Sequence, residues 1–136
     1  MDDQQLLRYS RHLLLSELGP DAQERSAAAH AVIVGMGGLG APAAQFLAAA
    51  GVGTITVCDA DRVDLTNLQR QILYATADIG QPKVVAASSR LRAINPEIVI
   101  RAQEKRVGAS ELSALAANAD VLLDCSDNFT TRHAVN

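Results

Sequence analysis

The 136-residue chain has only two cysteines, Cys58 and Cys125. They lie far apart and no CxxC pair exists, so this chain offers no thiolate zinc site. Each sits in an apolar run, as a buried reduced thiol acting as a small hydrophobe would. A basic excess is also missing. Twelve Lys+Arg face 15 Asp+Glu, a formal net charge of −3, whereas general nucleic-acid binders carry the opposite sign. A local basic site is still allowed. Long hydrophobic runs are absent as well. The stretch from Leu39 to Val52 is apolar but short, and Pro42, Gln45 and Gly51 interrupt it. It reads as a buried helix and not as a membrane span. The opening residues Met1-Asp2-Asp3-Gln4-Gln5 are acidic and polar, unlike a signal peptide. The expected compartment is therefore the cytoplasm. What remains, 49% apolar and 20% charged, describes an ordinary soluble globular protein.

Periodicity organises the chain into alternating strands and helices. Leu6, Leu7, Tyr9, Leu13, Leu14 and Leu18 recur at helical spacing and predict a first helix over about 4–18. Gly19-Pro20 stops it, and an Ala-rich helical piece covers 21–29. Ala31-Val32-Ile33-Val34 suits a strand buried on both faces of a parallel sheet. A helix follows over 39–50, closed by Gly51. Thr54 to Cys58 is β-branched and reads as a second strand. An irregular stretch, 59–81, precedes a helix opened by Pro82 and ended at Asn95-Pro96. Residues 98–100 start a third strand, 110–117 form a short helix, and 121–123 form a fourth strand. Asp127 or Asn128 caps a last helix. Such alternation means an α/β, Rossmann-like fold with a mostly parallel sheet and flanking helices. The expected division is a helical extension over 1–30 and a nucleotide-binding half-domain over 31–136. Because the chain stops at Asn136 inside a helical pattern, a sheet cut short after its fourth strand is expected.

Gly35-Met36-Gly37-Gly38-Leu39-Gly40 fits G-x-G-x-x-G, after a strand and at the start of a helix. The glycines allow a sharp turn, close approach of a phosphate, and tight helix–sheet packing. Free N–H groups at the helix start then favour an anion. Asp59, at the end of the second strand and followed by Asp61, is placed to hold ribose hydroxyls. Taken this far, an NAD-dependent oxidoreductase fits. The next residues point to ATP instead. Asn67, Gln69 and Arg70 put amides and a guanidinium just beyond the ribose position, and Arg70 can grip phosphate oxygens in a forked geometry. Lys83 sits in the first turn of a helix, where a cation opposes the helix dipole unless an anion is near. Asp127 follows the fourth strand, where α/β folds place ligands. A carboxylate there would act on phosphates through Mg²⁺.

Six blocks occur in one order: Arg8-Tyr9-Ser10-Arg11-His12, the glycine loop, Asp59-Ala60-Asp61, Asn67-Leu68-Gln69-Arg70-Gln71, Gly80-Gln81-Pro82-Lys83 and Asp124-Cys125-Ser126-Asp127-Asn128. Together they closely resemble the ThiF/MoeB/HesA group, bacterial relatives of ubiquitin-activating enzymes. The resemblance runs over essentially the whole chain. It implies an ATP-Mg²⁺ enzyme that adenylates the C-terminal glycine carboxylate of a ubiquitin-fold sulfur-carrier protein, of the ThiS or MoaD kind, and releases pyrophosphate. Thiamine and molybdopterin synthesis both use such carriers. By the same resemblance Gly38 belongs to the nucleotide loop and Asp59 binds ribose. Asn67, Arg70 and Lys83 meet phosphates. Asp127 associates with magnesium, and Asn128 lies beside the nucleotide. Arg11 reaches the site of a partner subunit, which implies a homodimer. Zinc motifs occur in the part of such enzymes beyond the segment matched here. No membrane or nucleic-acid partner is implied. His12, His30 and His133 are expected at the surface or in packing.

Overall fold

A computed structural model describes residues 1–136. Four strands form one sheet: β1 (His30–Val34), β2 (Thr54–Cys58), β3 (Val99–Gln103) and β4 (Val121–Asp124). Their order is β3-β2-β1-β4, and every pairing is parallel. Val34 is level with Cys58 on one side and with Asp124 on the other. The carboxyl ends of the strands therefore share one edge. The chain runs outward from β1 to β3 and then returns to place β4 on the other side. Such a reversal is where open α/β sheets form their ligand crevice.

The helices are α1 (Asp3–Arg8), α2 (Ser10–Leu13), α3 (Gly19–Ala28), α4 (Gly40–Ala50), α5 (Lys83–Ile94), α6 (Ala109–Ala116) and α7 (Phe129–Val135). The larger core lies under α4 and α5. There Ala41, Ala44 and Ala48 let α4 approach Ile33, Ile55 and Val57 closely. A smaller core joins Val32, Val34 and Cys58 to Val107 and Leu112, on the side of α6. Continuous apolar strands covered on both faces explain why 31–34 and 55–58 are almost fully buried. The edge strand β4 is less covered, with Val121 exposed and Leu122 and Leu123 half-buried. No helix is long and apolar enough to cross a membrane.

Three local expectations change. The first helix is not continuous over 4–18 but breaks at Tyr9, whose backbone leaves the helix at φ −100°, ψ 11°. The break swings the Tyr9 ring into the core, 6% exposed, while Leu7 and Leu14 stay outside at 77% and 76%. Gly19-Pro20 does not only end a segment; it starts α3, with Gly19 at φ 65° and proline in the first turn. The stretch 59–81 carries two single turns of 3₁₀ helix, at Leu65–Asn67 and Thr76–Asp78. The last helix is capped by Asn128, whose Oδ1 accepts from Thr131 N at 2.8 Å. That leaves the neighbouring Asp127 carboxylate uncommitted.

Candidate nucleotide-binding site

A cleft of about 480 Å³ opens at the carboxyl edge of the sheet. Its floor is Val34, Cys58 and Cys125, and the glycine loop forms one wall. Two glycines in that loop are dictated by space. Gly35 turns at φ 95°, and a Cβ there would lie 2.6 Å from the Cys125 carbonyl oxygen. A Cβ on Gly40 would lie 1.7 Å from the Gly35 carbonyl oxygen, so α4 can start directly over the turn only without a side chain. Two side chains then clamp Met36 between them. Asp59 Oδ2 accepts from Met36 N at 2.8 Å, and Tyr74 Oη donates to Met36 O at 2.6 Å. Asp59 Oδ1 accepts from Asp61 N at 2.8 Å. Asp59 thus fixes the glycine loop through one oxygen and the turn after β2 through the other, while lining the cleft. Burial holds the Tyr74 hydroxyl in its neutral, donating form by raising its pKa.

Gly35, Gly37, Gly38, Asp59, Asp61, Asn67, Arg70, Lys83, Asp127 and Asn128 all line the cleft. Gly40 lies beneath it. Gln69 is turned away, its Nε2 donating to Thr66 O at 3.1 Å. Arg11 is at the other end of the molecule. Its neighbour Tyr9 packs on Gly51, at the C-terminus of α4, while the cleft lies at the N-terminus. The eleven residues of α4 separate them by roughly 16 Å.

Five cationic side chains line the cleft, Arg70, Lys83, Lys105, Arg106 and Arg132, against three carboxylates. The lining is thus far richer in cations than the chain as a whole, whose net charge is −3. Two of the cations are neutralised within the protein: Lys105 by Glu111, and Arg132, at 3.8 Å, by Asp124. Arg70, Arg106 and Lys83 have no carboxylate partner among the ion pairs. Lys83 is 6% exposed and stands first in α5. Its stem is buried but its ammonium opens into the cleft without a counter-ion, among other cations and at the positive end of a helix dipole, both unfavourable to a cation. An anion in the cleft reverses both terms.

Lys105, Arg106 and Gln71 were not singled out by sequence. The first two lie in a loop after β3 with no motif of their own, and only strand order brings that loop beside β2. Both thiols are free. Burial pushes Cys58 up to about 11 and also raises Cys125, which makes both poor nucleophiles near neutral pH. His30 is a packing strut, bridging Asn118 O at 2.6 Å and Thr56 Oγ1 at 2.8 Å.

No group of three or more His, Cys, Asp or Glu side chains is gathered to hold a metal by protein ligands alone. Asp127, exposed at the cleft and without a hydrogen-bond or ion-pair partner, does fit a Mg²⁺ shared with ligand phosphates.

The chain has known relatives in sequence and in structure. The chain is 46% identical over 136 residues to the sulfur carrier protein ThiS adenylyltransferase of Escherichia coli, covering all of this chain and 54% of that protein. It is equally similar, at 46%, to the molybdopterin-synthase adenylyltransferase of the same species, covering 55% of it. The chain spans about half the length of the curated relatives it matches. In structure it resembles the E. coli tRNA N6-threonylcarbamoyladenosine dehydratase solved in complex with ATP. The TM-score is 0.90 at 30% identity, over 98% of this chain and 55% of that one. The ThiF family pattern itself matches residues 9–136, from the buried Tyr9 through the glycine loop to the end of α7, and the chain belongs to the ThiF family.

Proposed function

We propose that the full-length protein is an ATP-dependent adenylyltransferase. It would activate the C-terminal glycine carboxylate of a ubiquitin-like sulfur-carrier protein, in thiamine or molybdopterin synthesis, and release pyrophosphate. The observation that carries this reading is Lys83: an ammonium with no counter-ion, held out from a buried stem into a cleft built on a glycine-rich turn. Arg70, lining the same cleft, adds a forked donor suited to phosphate. A nicotinamide cofactor gives less reason for this charge, since its pyrophosphate is commonly held by loop backbone and a helix N-terminus.

The chemistry needs positioning and charge neutralisation above all. The carrier's carboxylate is already ionised near pH 7, so no general base is required. A bond forms from its oxygen to the α-phosphorus as the bond to pyrophosphate breaks. Arg70 and Lys83 offset the charge that gathers on the phosphates. Asp127 would hold Mg²⁺ against them, and the ion supplies further charge neutralisation. Asp59 and Asp61 face the ribose, Asn67 faces the phosphates, Asn128 lies beside the nucleotide, and the loop from Gly35 to Gly40 brings backbone N–H groups close. Arg11, remote from its own cleft, would act in the cleft of a second copy in a homodimer. Residues 1–30 then serve as a helical arm on the nucleotide-binding half formed by 31–136, in a cytoplasmic enzyme. The test is carrier-dependent exchange of labelled pyrophosphate into ATP by the full-length protein. Exchange is expected only with carrier present, and a folded enzyme showing none would overturn the proposal.

A further inference from the structure

Gln71 is 2% exposed and lines the cleft, yet its side chain makes none of the hydrogen bonds found for other buried amides. Its Oε1 is sealed from solvent without a partner, and no other side-chain atom in the molecule is. Its Nε2 faces the glycine loop: a Cβ on Gly37 would come 3.4 Å from it. A Cβ on Gly38 would likewise lie 3.4 Å from Arg70 Nη1. Consecutive side chains, Arg70 and Gln71, therefore stand against consecutive glycines of the loop.

Amides that serve the fold are used at both ends. Asn95 donates to Tyr9 Oη and Ala48 O and accepts from Glu97 N. Gln23 donates to Ala50 O and pairs its Oε1 with His12. Gln71 is used at neither end. A buried acceptor without a donor destabilises the fold, so packing alone does not account for a glutamine here. A neutral donor beside Gly37, next to a guanidinium beside Gly38, matches an oxygen-rich anion lying along the loop.

We propose that Gln71 is a phosphate-binding residue of this cleft. Its Nε2 donates to a phosphate oxygen of the nucleotide at Gly37, and the unpartnered Oε1 is the structural cost of holding it there. The inference rests on the polyphosphate reading above. It is tested on the full-length protein by the Kd for ATP with Mg²⁺ and by the melting temperature without ligand, for wild type, Gln71→Met and Gln71→Glu. Gln71→Met replaces the amide with an apolar group of similar length. It should melt at the wild-type temperature or higher and bind ATP about ten- to a hundredfold more weakly, the value of one hydrogen bond to a charged group. Gln71→Glu, nearly isosteric, should bind more weakly still, because a carboxylate there faces phosphate. ATP binding at wild-type strength by either variant would overturn the contact. If Gln71→Met melts lower, the isosteric glutamate variant decides the question alone. A wild type that binds no ATP removes the polyphosphate reading and this inference with it. A wild type that binds, matched by its variants, removes only the role of Gln71.

Discussion

The two ends of the sheet treat polar groups in opposite ways. At the amino end, where α1–α3 dock, polar side chains are paired. The buried Asn95 amide ties Tyr9 Oη at 2.8 Å to the Ala48 carbonyl at 2.9 Å. Gln23 joins His12 to the Ala50 carbonyl, and Arg8 reaches Ile94 O at 3.3 Å. At the carboxyl end, Lys83, Arg70, Asp127 and Gln71 lack partners, and the backbone turns through Gly35 in a conformation closed to other residues. One end spends its polarity on holding the fold. The other keeps it available. Only the Gln71 oxygen is sealed from solvent, where lacking a partner is costly; the other three open to the cleft, and together they mark the end where a ligand would complete the set.

The contrast can be broken by exchanging the readouts of the two ends. Lys83→Ala should lower pyrophosphate exchange by about 10²- to 10³-fold, the scale for removing one charge-stabilising donor from a reacting centre. Its melting temperature should change little, because the ammonium makes no hydrogen bond or ion pair within the protein and only the packing of the stem is lost. A large fall in melting temperature would make Lys83 a structural residue. Asn95→Ala should do the reverse. It strands Tyr9 Oη and the Ala48 carbonyl, so denaturant unfolding should show a loss of about 2–3 kcal/mol. ATP affinity of the folded protein should be unchanged; weaker binding would mean that the two ends are coupled. The smallest effect concerns pH. Burial raises Cys58 to about 11 from an ordinary 9. The folded state therefore holds that proton more tightly than the unfolded chain. The contribution is complete below about pH 9 and is lost as pH rises toward about 11. Cys58→Ala should flatten that part of the stability curve, measured by denaturant titration at several pH values. An unchanged slope would place the alkaline loss elsewhere.

Much of this was legible in the sequence. Ala31–Val34 was legible as a central strand because a strand covered on both faces is apolar throughout, and Thr54–Cys58 because its β-branched residues favour the extended backbone. The glycine pattern gave the turn, since steric need for glycine is local. The N-terminal leucines misled. Their spacing predicts one continuous helix, but Tyr9 gains more by entering the space above Gly51 than by staying in line. That gain depends on Asn95, 86 residues away, and no local pattern carries it. Gln71 was visible only as a letter in a motif, and Lys105 and Arg106 as part of an undistinguished loop.

What the sequence determined by itself was the set of groups available: a turn that only glycine can make, acids after two strands, a lysine at a helix start, and a family pattern in one order. Tertiary structure decided which of those groups are already used. It paired Lys105 and Arg132, left Lys83 and Asp127 free, and set Arg11 at the far end from its own cleft. The physical reason is range. Propensity, capping and glycine sterics act over a few residues, whereas charge pairing and burial are settled by neighbours that only the strand order β3-β2-β1-β4 brings together.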